Sequence, residues 1–365
     1  MRPFAEFILR NRRTQGDRPI RFAFAKNTFS KPLLVVVVLI LWNQPVPSLA
    51  VSAPAKIVIA HAAMSARVAP LWAAQEQGFF AKNEVAASAI FIRQAPILVA
   101  ALTAGDVQIG YSGGTSAMAA VIGGADLKLV ATLTNWLNYD LVAAPSIKSA
   151  KDLRGKRFGV QSLAGTVWMA GMLGLEHIGL DQRRDNINIL VIGDQTVLTQ
   201  ALEAGQIDAT VLDGVFSRRL KQKGFTILAE LQQAKIPFSG QGVVVKGGYL
   251  QEHRETVEAM LKGLLEGIAF SLAPRNRSAV VETITKRLRL PDSATAEEGY
   301  QDVIKNTEKR PFPGLDGLRN IQRLMKLRNP SADKIKVEEM VDDRILRRLE
   351  QSGFIDRMLE TYGVR

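Results

Sequence analysis

Two stretches one hundred residues apart are built alike: Ala101–Gly114 (ALTAGDVQIGYSGG) and Ala201–Gly214 (ALEAGQIDATVLDG). In each, the pattern predicts a helix stopped on Ala-Gly, then a short strand, then a glycine-containing turn. Five identical positions are too few to establish common ancestry. The repeated grammar nevertheless restricts the chain to an arrangement with two α/β lobes of parallel build. Two such lobes facing each other leave a cleft, and clefts are where small ligands bind.

Length agrees, since 365 residues suffice for two core-forming units. The charge is uneven. Residues 1–50 hold eight Lys/Arg against Glu6 and Asp17, which is half of the formal net charge of +12. The remaining basic residues concentrate in the C-terminal third among Glu and Asp, the pattern of a solvated helical face. A nucleic-acid partner is therefore not expected. With no cysteine in the chain, disulfides, thiolate metal sites and a Cys nucleophile are excluded. His61, His177 and His253 lack metal-ligand spacing, and neither a metal nor a cofactor is expected.

Residues 1–53 read as a signal peptide. A basic segment precedes the apolar run Leu33–Trp42, which is too short to span a bilayer as a helix. Small residues then offer cleavage after Ala50, with Ala53 as the second choice because Pro54 would follow it. An uncleaved N-terminal anchor is the alternative. Arg12-Arg13 lies too far before the apolar run to favour a twin-arginine route. The mature chain is expected outside the cytoplasmic membrane, in the periplasm.

From Lys56 strands and helices alternate. Strands are expected at 56–62, 85–92, 107–111, 127–133 and 140–144, with a change of lobe at the linker Pro145–Ser149. A second set follows from Arg157, and Gly240–Lys246 reads as a strand returning to the first lobe. The expected organisation is lobe 1 over 54–143, lobe 2 over 144–240, and a return to lobe 1 with extra C-terminal helices over 241–365. Beyond Tyr249 the chain reads as helical. Val257, Met260, Leu261, Leu264, Leu265 and Ile268 form an apolar stripe, and Glu258, Lys262 and Glu266 lie opposite. Pro311-Phe-Pro-Gly314 breaks that region, and two more amphipathic helices are expected to buttress lobe 1.

The runs PLWAAQEQGFF (Pro70–Phe80) and ALTAGDVQIGYSGGTSAMAAVIGGADLKLVATLTN (Ala101–Asn135) resemble solute-binding proteins of the nitrate/sulfonate/taurine ABC-transporter family. LVAAPSIKSAKDLRGKRFGVQSLAGT (Leu141–Thr166) and ALEAGQIDATVLD (Ala201–Asp213) continue the resemblance, which covers roughly 56–270. It extends to aliphatic-sulfonate-binding and thiamine-pyrimidine-synthase-like members. The resemblance implies a type II periplasmic-binding-protein fold, with two lobes joined by two crossover segments near Leu141–Ala144 and Gln241–Val245. It also implies a monomeric, non-enzymatic receptor that closes on a small ligand and delivers it to an ABC permease. An enzyme on the same fold, or a binding protein serving a membrane sensor, are the alternatives. The thiamine-pyrimidine synthases carry a cysteine-rich signature that this chain lacks.

Ligand groups in open α/β sheets gather at strand C-termini and helix N-termini. That rule selects Gly114, Thr115 and Ser116 in one lobe and Gly165 and Thr166 in the other, as donors to an anionic head group. Arg67 follows the first strand and suits a carboxylate or sulfonate; a surface Arg is the plain alternative. Asn135 and Trp136 follow a buried strand, where Trp136 would stack on a planar ligand or simply cover the lobe interface. Asp213 would accept from a ligand amine or cap a helix. A small organic ligand, anionic by these donors, is the expectation.

Overall fold

The computed structural model describes residues 54–290 and 292–364, so the leader expected over 1–53 lies outside the described residues. Its strands are β1 (Ala55–His61), β2 (Val85–Phe91), β3 (Ile109–Gly113), β4 (Leu127–Thr132) and β5 (Asp140–Ala143). They continue with β6 (Arg157–Val160), β7 (Asn188–Val191), β8 (Ala209–Leu212), β9 (Thr226–Glu230) and β10 (Gln241–Lys246). Helices through the first two-thirds are α1 (Ala69–Glu76), α2 (Phe79–Lys82), α3 (Ala95–Ala104), α4 (Gly114–Ile122), α5 (Thr166–His177), α6 (Gln195–Glu203) and α7 (Gly214–Gln222). The rest are α8 (Gly247–Glu252), α9 (Arg254–Leu272), α10 (Arg277–Leu288), α11 (Ser293–Asn306), α12 (Leu315–Lys326), α13 (Arg344–Gln351) and α14 (Phe354–Tyr362).

The two strands of the repeated motif, β3 and β8, occupy equivalent places in two sheets ordered β2-β1-β3-β10-β4 and β7-β6-β8-β5-β9. Each follows a helix stopped by a left-handed glycine, Gly105 at φ +93° and Gly205 at φ +67°. That backbone region strains any residue with a Cβ, so the Ala-Gly stop is a stereochemical requirement. In both sheets the first three strands are parallel. β8 is buried along its whole length, as expected for a strand covered on both faces.

One strand in each sheet is antiparallel to its neighbours, β10 in the first and β5 in the second. These are the strands that arrive from the other lobe. A chain entering from the cleft meets a sheet at the C-terminal ends of its parallel strands and must run against them. The lobe change therefore precedes Asp140: the crossovers are 133–139 and 231–240, not Leu141–Ala144 and Gln241–Val245. Residues 140–143 lie in the second sheet, although the sequence placed them with lobe 1. The crossovers run side by side, with Leu137 N donating to Ile236 O (2.9 Å), Phe238 N to Asn135 O (2.9 Å) and Gly240 N to Thr134 O (2.9 Å). A paired, two-stranded link of this kind permits bending while keeping both lobes in register.

The C-terminal helices do more than the buttressing expected of them. The apolar stripe of α9 is buried against α1 as anticipated. Glu266, assigned by the sequence to the solvated face, is instead only 3% exposed. It is held by Lys82 Nζ at 2.7 Å and by the Tyr362 hydroxyl at 2.9 Å, because α14 folds back over it. α10 and α11 pack with the turn after β1 in a small separate core of Ala66, Ala69, Val280, Ile284, Ala296, Tyr300 and Val303. That core fixes the segment carrying Arg67. None of the described helices is long and apolar enough to cross a membrane.

Candidate functional site

A cavity of about 520 Å³ lies between the lobes. Lobe 1 supplies the turn Met64–Arg67 at the C-terminal end of β1, and the first crossover supplies Asn138. Lobe 2 supplies Asp140, Thr196, the turn Asp213–Phe216 and Arg218, with Lys221, Glu230 and Gln232. α10 and α11 add Ile284, Leu288, Thr295, Gly299, Asp302, Lys305 and Asn306. The volume is that of a small organic ligand.

Arg67 and Asp213, drawn from opposite lobes, face each other in this wall. Arg67 Nη2 lies 3.3 Å from Asp213 Oδ2, and the two side chains are 21% and 14% exposed. Arg67 Nη1 also reaches Asn138 Oδ1 and the Tyr139 hydroxyl, both at 3.4 Å, and the guanidinium stacks 5.3 Å from the Tyr139 ring centroid. Charge-assisted contacts are ordinarily about 2.7–2.9 Å, so all three bonds are long. Burial disfavours the charged guanidinium, but Tyr139 and Asp213 outweigh it and hold Arg67 above its usual value. Asp213 starts α7 without a side-chain cap hydrogen bond, and its Oδ1 is buried with no partner. Burial pushes its carboxyl above the usual range, against the pull of Arg67. Its backbone N–H donates to Gln195 Oε1 at 2.8 Å, which fixes the turn.

Asp140 neighbours this pair, since it stands opposite Leu212 in the β5–β8 register. It accepts a hydrogen bond from the Ser217 hydroxyl. Burial pushes Asp140 up as well, with Ser217 opposing. Arg218 forks onto Asp302 with bonds of 2.9 and 3.1 Å, tying lobe 2 to α11. On the other side, Gly299 lets α11 approach the lobe-1 turn after β1, because a Cβ there would stand 2.8 Å from the Ala66 methyl.

The other expected site residues lie outside this wall. Gly114 is pressed against the second crossover, where a Cβ would meet Ser239 Oγ at 2.5 Å. Its N–H donates to Ser239 O at 3.0 Å, so that one donor of the helix N-terminus is engaged. Thr115 is buried with Oγ1 3.7 Å from Met169 Sδ of α5, a contact between lobes. Ser116 bonds Ser112 Oγ (2.8 Å) and Gly113 O (3.0 Å). Gly165 and Thr166, both half-buried, begin α5. Asn135 donates to Phe312 O (2.8 Å) and accepts from Gly314 N (3.0 Å), which anchors the Pro-Phe-Pro-Gly break to the crossover. Trp136 is 37% exposed on the hinge, with Lys235 Nζ 5.7 Å from its ring centroid.

The sequence thus singled out Arg67 and Asp213 and missed Asp140, Arg218 and Asp302. Asp140 was hidden by the lobe assignment of β5. Arg218 and Asp302 are 84 residues apart, and the only local sign was acidic Glu298 and Asp302 one turn apart on α11.

A family model described as NMT1/THI5 like matches residues 65–276. No curated protein matches the chain. Among solved structures, the periplasmic aliphatic sulphonate binding protein SsuA from Escherichia coli is similar at TM-score 0.66 and 18% identity, covering 80% of this chain and 99% of its own. The alkanesulfonate-binding protein SsuA from Xanthomonas axonopodis pv. citri, bound to MOPS, aligns at TM-score 0.61 and 20% identity, over 80% and 99%. The periplasmic nitrate-binding protein NrtA from Synechocystis PCC 6803 aligns at 0.63 and 11%, over 81% and 88%. At these identities the likeness is one of fold: the periplasmic-binding-protein arrangement of two lobes and two crossovers.

Proposed function

The chain belongs to the NMT1/THI5-like family, and from that premise we propose that it is an extracytoplasmic solute receptor. It captures a small organic molecule between its lobes by hinge closure and delivers it to an ABC permease, acting as a monomer without catalysis, cofactor or nucleic acid. Export through the basic, apolar leader, with cleavage near Ala50, is part of the same reading. The observation that carries it is the cavity itself, whose wall draws on both lobes, a crossover and α11, so that closing the hinge completes the site. The solved neighbours named for binding sulfonate and nitrate support the ligand-binding role.

We assign ligand contact to the two lobe faces that Arg67 and Asp213 mark, one from each lobe. A ligand touching both binds the closed state better than the open one, and only such a difference drives closure. Thr115 and Met169 act in the same movement as an uncharged hydroxyl–sulfur hydrogen bond between lobes, made on closing and lost on opening. The test is a thermal-shift screen of alkanesulfonates, small carboxylates, pyrimidines, amines and aromatic acids, followed by small-angle scattering on any hit. A raised melting temperature together with a smaller radius of gyration is expected. A screen without a single stabilising compound would count against the receptor reading.

A further inference from the structure

The sequence led us to expect an anion; the lining as a whole balances Asp140, Asp213, Glu230 and Asp302 against Arg67, Arg218, Lys221 and Lys305, but its less exposed part does not. There, three carboxylates (Asp140, Asp213 and Asp302) face two guanidiniums (Arg67 and Arg218). Arg218 is fully engaged by the fork to Asp302, with Glu298 as a further acidic partner at 3.5 Å. Arg67 is shared among Asp213, Asn138 and Tyr139. Asp140 has no cation within salt-bridge distance among the described residues, only the Ser217 hydroxyl. Asp213 keeps one buried oxygen without a hydrogen bond. The Phe216 amide helps keep Asp213 ionised but does not reach hydrogen-bond geometry. The wall is therefore one positive charge short, at adjoining positions on β5 and the turn after β8.

Lys221 and Lys305 do not supply that charge. Both are exposed, as is Glu230, so water screens them. An incoming anion would have to displace a carboxylate from Arg67 or Arg218 and leave it buried and unpaired, which is costly. A cationic nitrogen instead finds an acceptor on Asp213 and a neutralising partner in Asp140, and leaves both existing pairs intact. The remaining wall mixes polar side chains, Asn138, Thr196, Thr295 and Asn306 among them, with the apolar Phe216, Ile284, Leu288 and Leu290.

Resting on the receptor reading above, we propose that the ligand carries one positive charge on nitrogen, as a protonated amine or an amidinium, on an apolar body. Asp140 and Asp213 recognise the nitrogen, and the α10 side of the cavity covers the body.

The test is calorimetric titration of the whole protein with three probes of one shape and different charge, benzamidinium, benzamide and benzoate, and with n-butylammonium against butanesulfonate. The cations are expected to bind at least about tenfold more tightly than the neutral and anionic partners, since one buried charge-assisted contact is worth about that much. Asp140→Asn and Asp213→Asn should each remove that preference, and a melting curve of each variant checks that it folds. Benzoate or butanesulfonate binding more tightly than the cations would overturn the charge assignment while leaving the receptor reading in place. Retention of the cation preference in both folded variants would overturn the assignment to these carboxylates. Absence of binding by all five probes, together with no hit in the wider screen, would overturn the receptor reading itself.

Discussion

At the level of single residues, the proposed charge preference of the site rests on Asp140 and Asp213. Each is a carboxylate whose protonation burial favours, so each is raised above the ordinary carboxylate value of 3.8. A raised acid contributes its full stability below its unfolded value, and that contribution is lost as pH rises through the native value. The ligand-free protein therefore carries an unrelieved cost at neutral pH. Asp140→Asn keeps an acceptor for Ser217 and removes the charge, so it should stabilise the free protein by about 1 kcal/mol at pH 7. The advantage over the parent should vanish as pH falls through the native value of Asp140 toward 3.8. Chemical denaturation at several pH values measures it, and a variant less stable than its parent at pH 7 would contradict the burial argument. If Asp140 also meets the ligand, the same variant gains stability and loses binding, the usual trade at a functional site. The residue types were legible in the sequence: an Arg after the first strand and an Asp after β8 both stood out by position. Their pairing was not, because nothing local says that two turns 146 residues apart meet across a cleft.

At the level of elements, local pattern placed the helices and strands of the two lobes to within a few residues, since glycine stops and apolar runs are local signals. α3 ends at Ala104 against Gly105, the Ala-Gly stop that the repeated motif predicts. What escaped was partnership. β5 reads as a strand in either lobe, and only its pairing with β8 and β9 assigns it. The C-terminal helices read as amphipathic, which says that they cover something but not what. Their tight fit is testable. A Cβ at Gly267 of α9 would stand 2.4 Å from Pro70 O and 2.8 Å from the Ala74 methyl of α1. The first contact is with backbone and yields only by moving a helix, so Gly267→Ala should cost about 1–3 kcal/mol by thermal denaturation. An Ala there with no loss would mean that α9 and α1 are not packed this closely. Arg218 reports on a different joint. Arg218→Ala frees α11 from α7 and leaves Asp302 without its fork. Faster hydrogen exchange is expected along Ser293–Asn306, with the β1–β3 amides unchanged.

At the level of the whole molecule, the question is what holds the lobes together when no ligand is bound. Besides the Thr115–Met169 contact and an apolar cluster shared by the two lobes, three sets of ion pairs among the described residues cross the cleft or bridge lobe 2 to the C-terminal helices. They are the Arg67–Asp213 pair at 3.3 Å, the Arg218–Asp302 fork, and the pair of Arg323 with Glu176 at 2.8 Å. Arg323 and Glu176 are each more than two-fifths exposed, and exposed pairs contribute about 0–1 kcal/mol and are screened by salt. The Arg67–Asp213 pair is better buried, but its long contact and the desolvation of both charges leave little net attraction. These two pairs thus add little to closure. A ligand at about 100 times its dissociation constant adds roughly 2.7 kcal/mol to whichever state binds it, enough to make closure dominant. Small-angle scattering of the free protein at low salt and at about 1 M salt, where the Debye length falls to about 3 Å, should show the radius of gyration rising with salt. The ligand-bound protein should show no such rise, because the closed state no longer depends on screened pairs alone. A free protein equally compact at both ionic strengths would place the closing force in uncharged contacts such as Thr115 on Met169. The two measurements together thus separate an ion-pair hinge from an uncharged one.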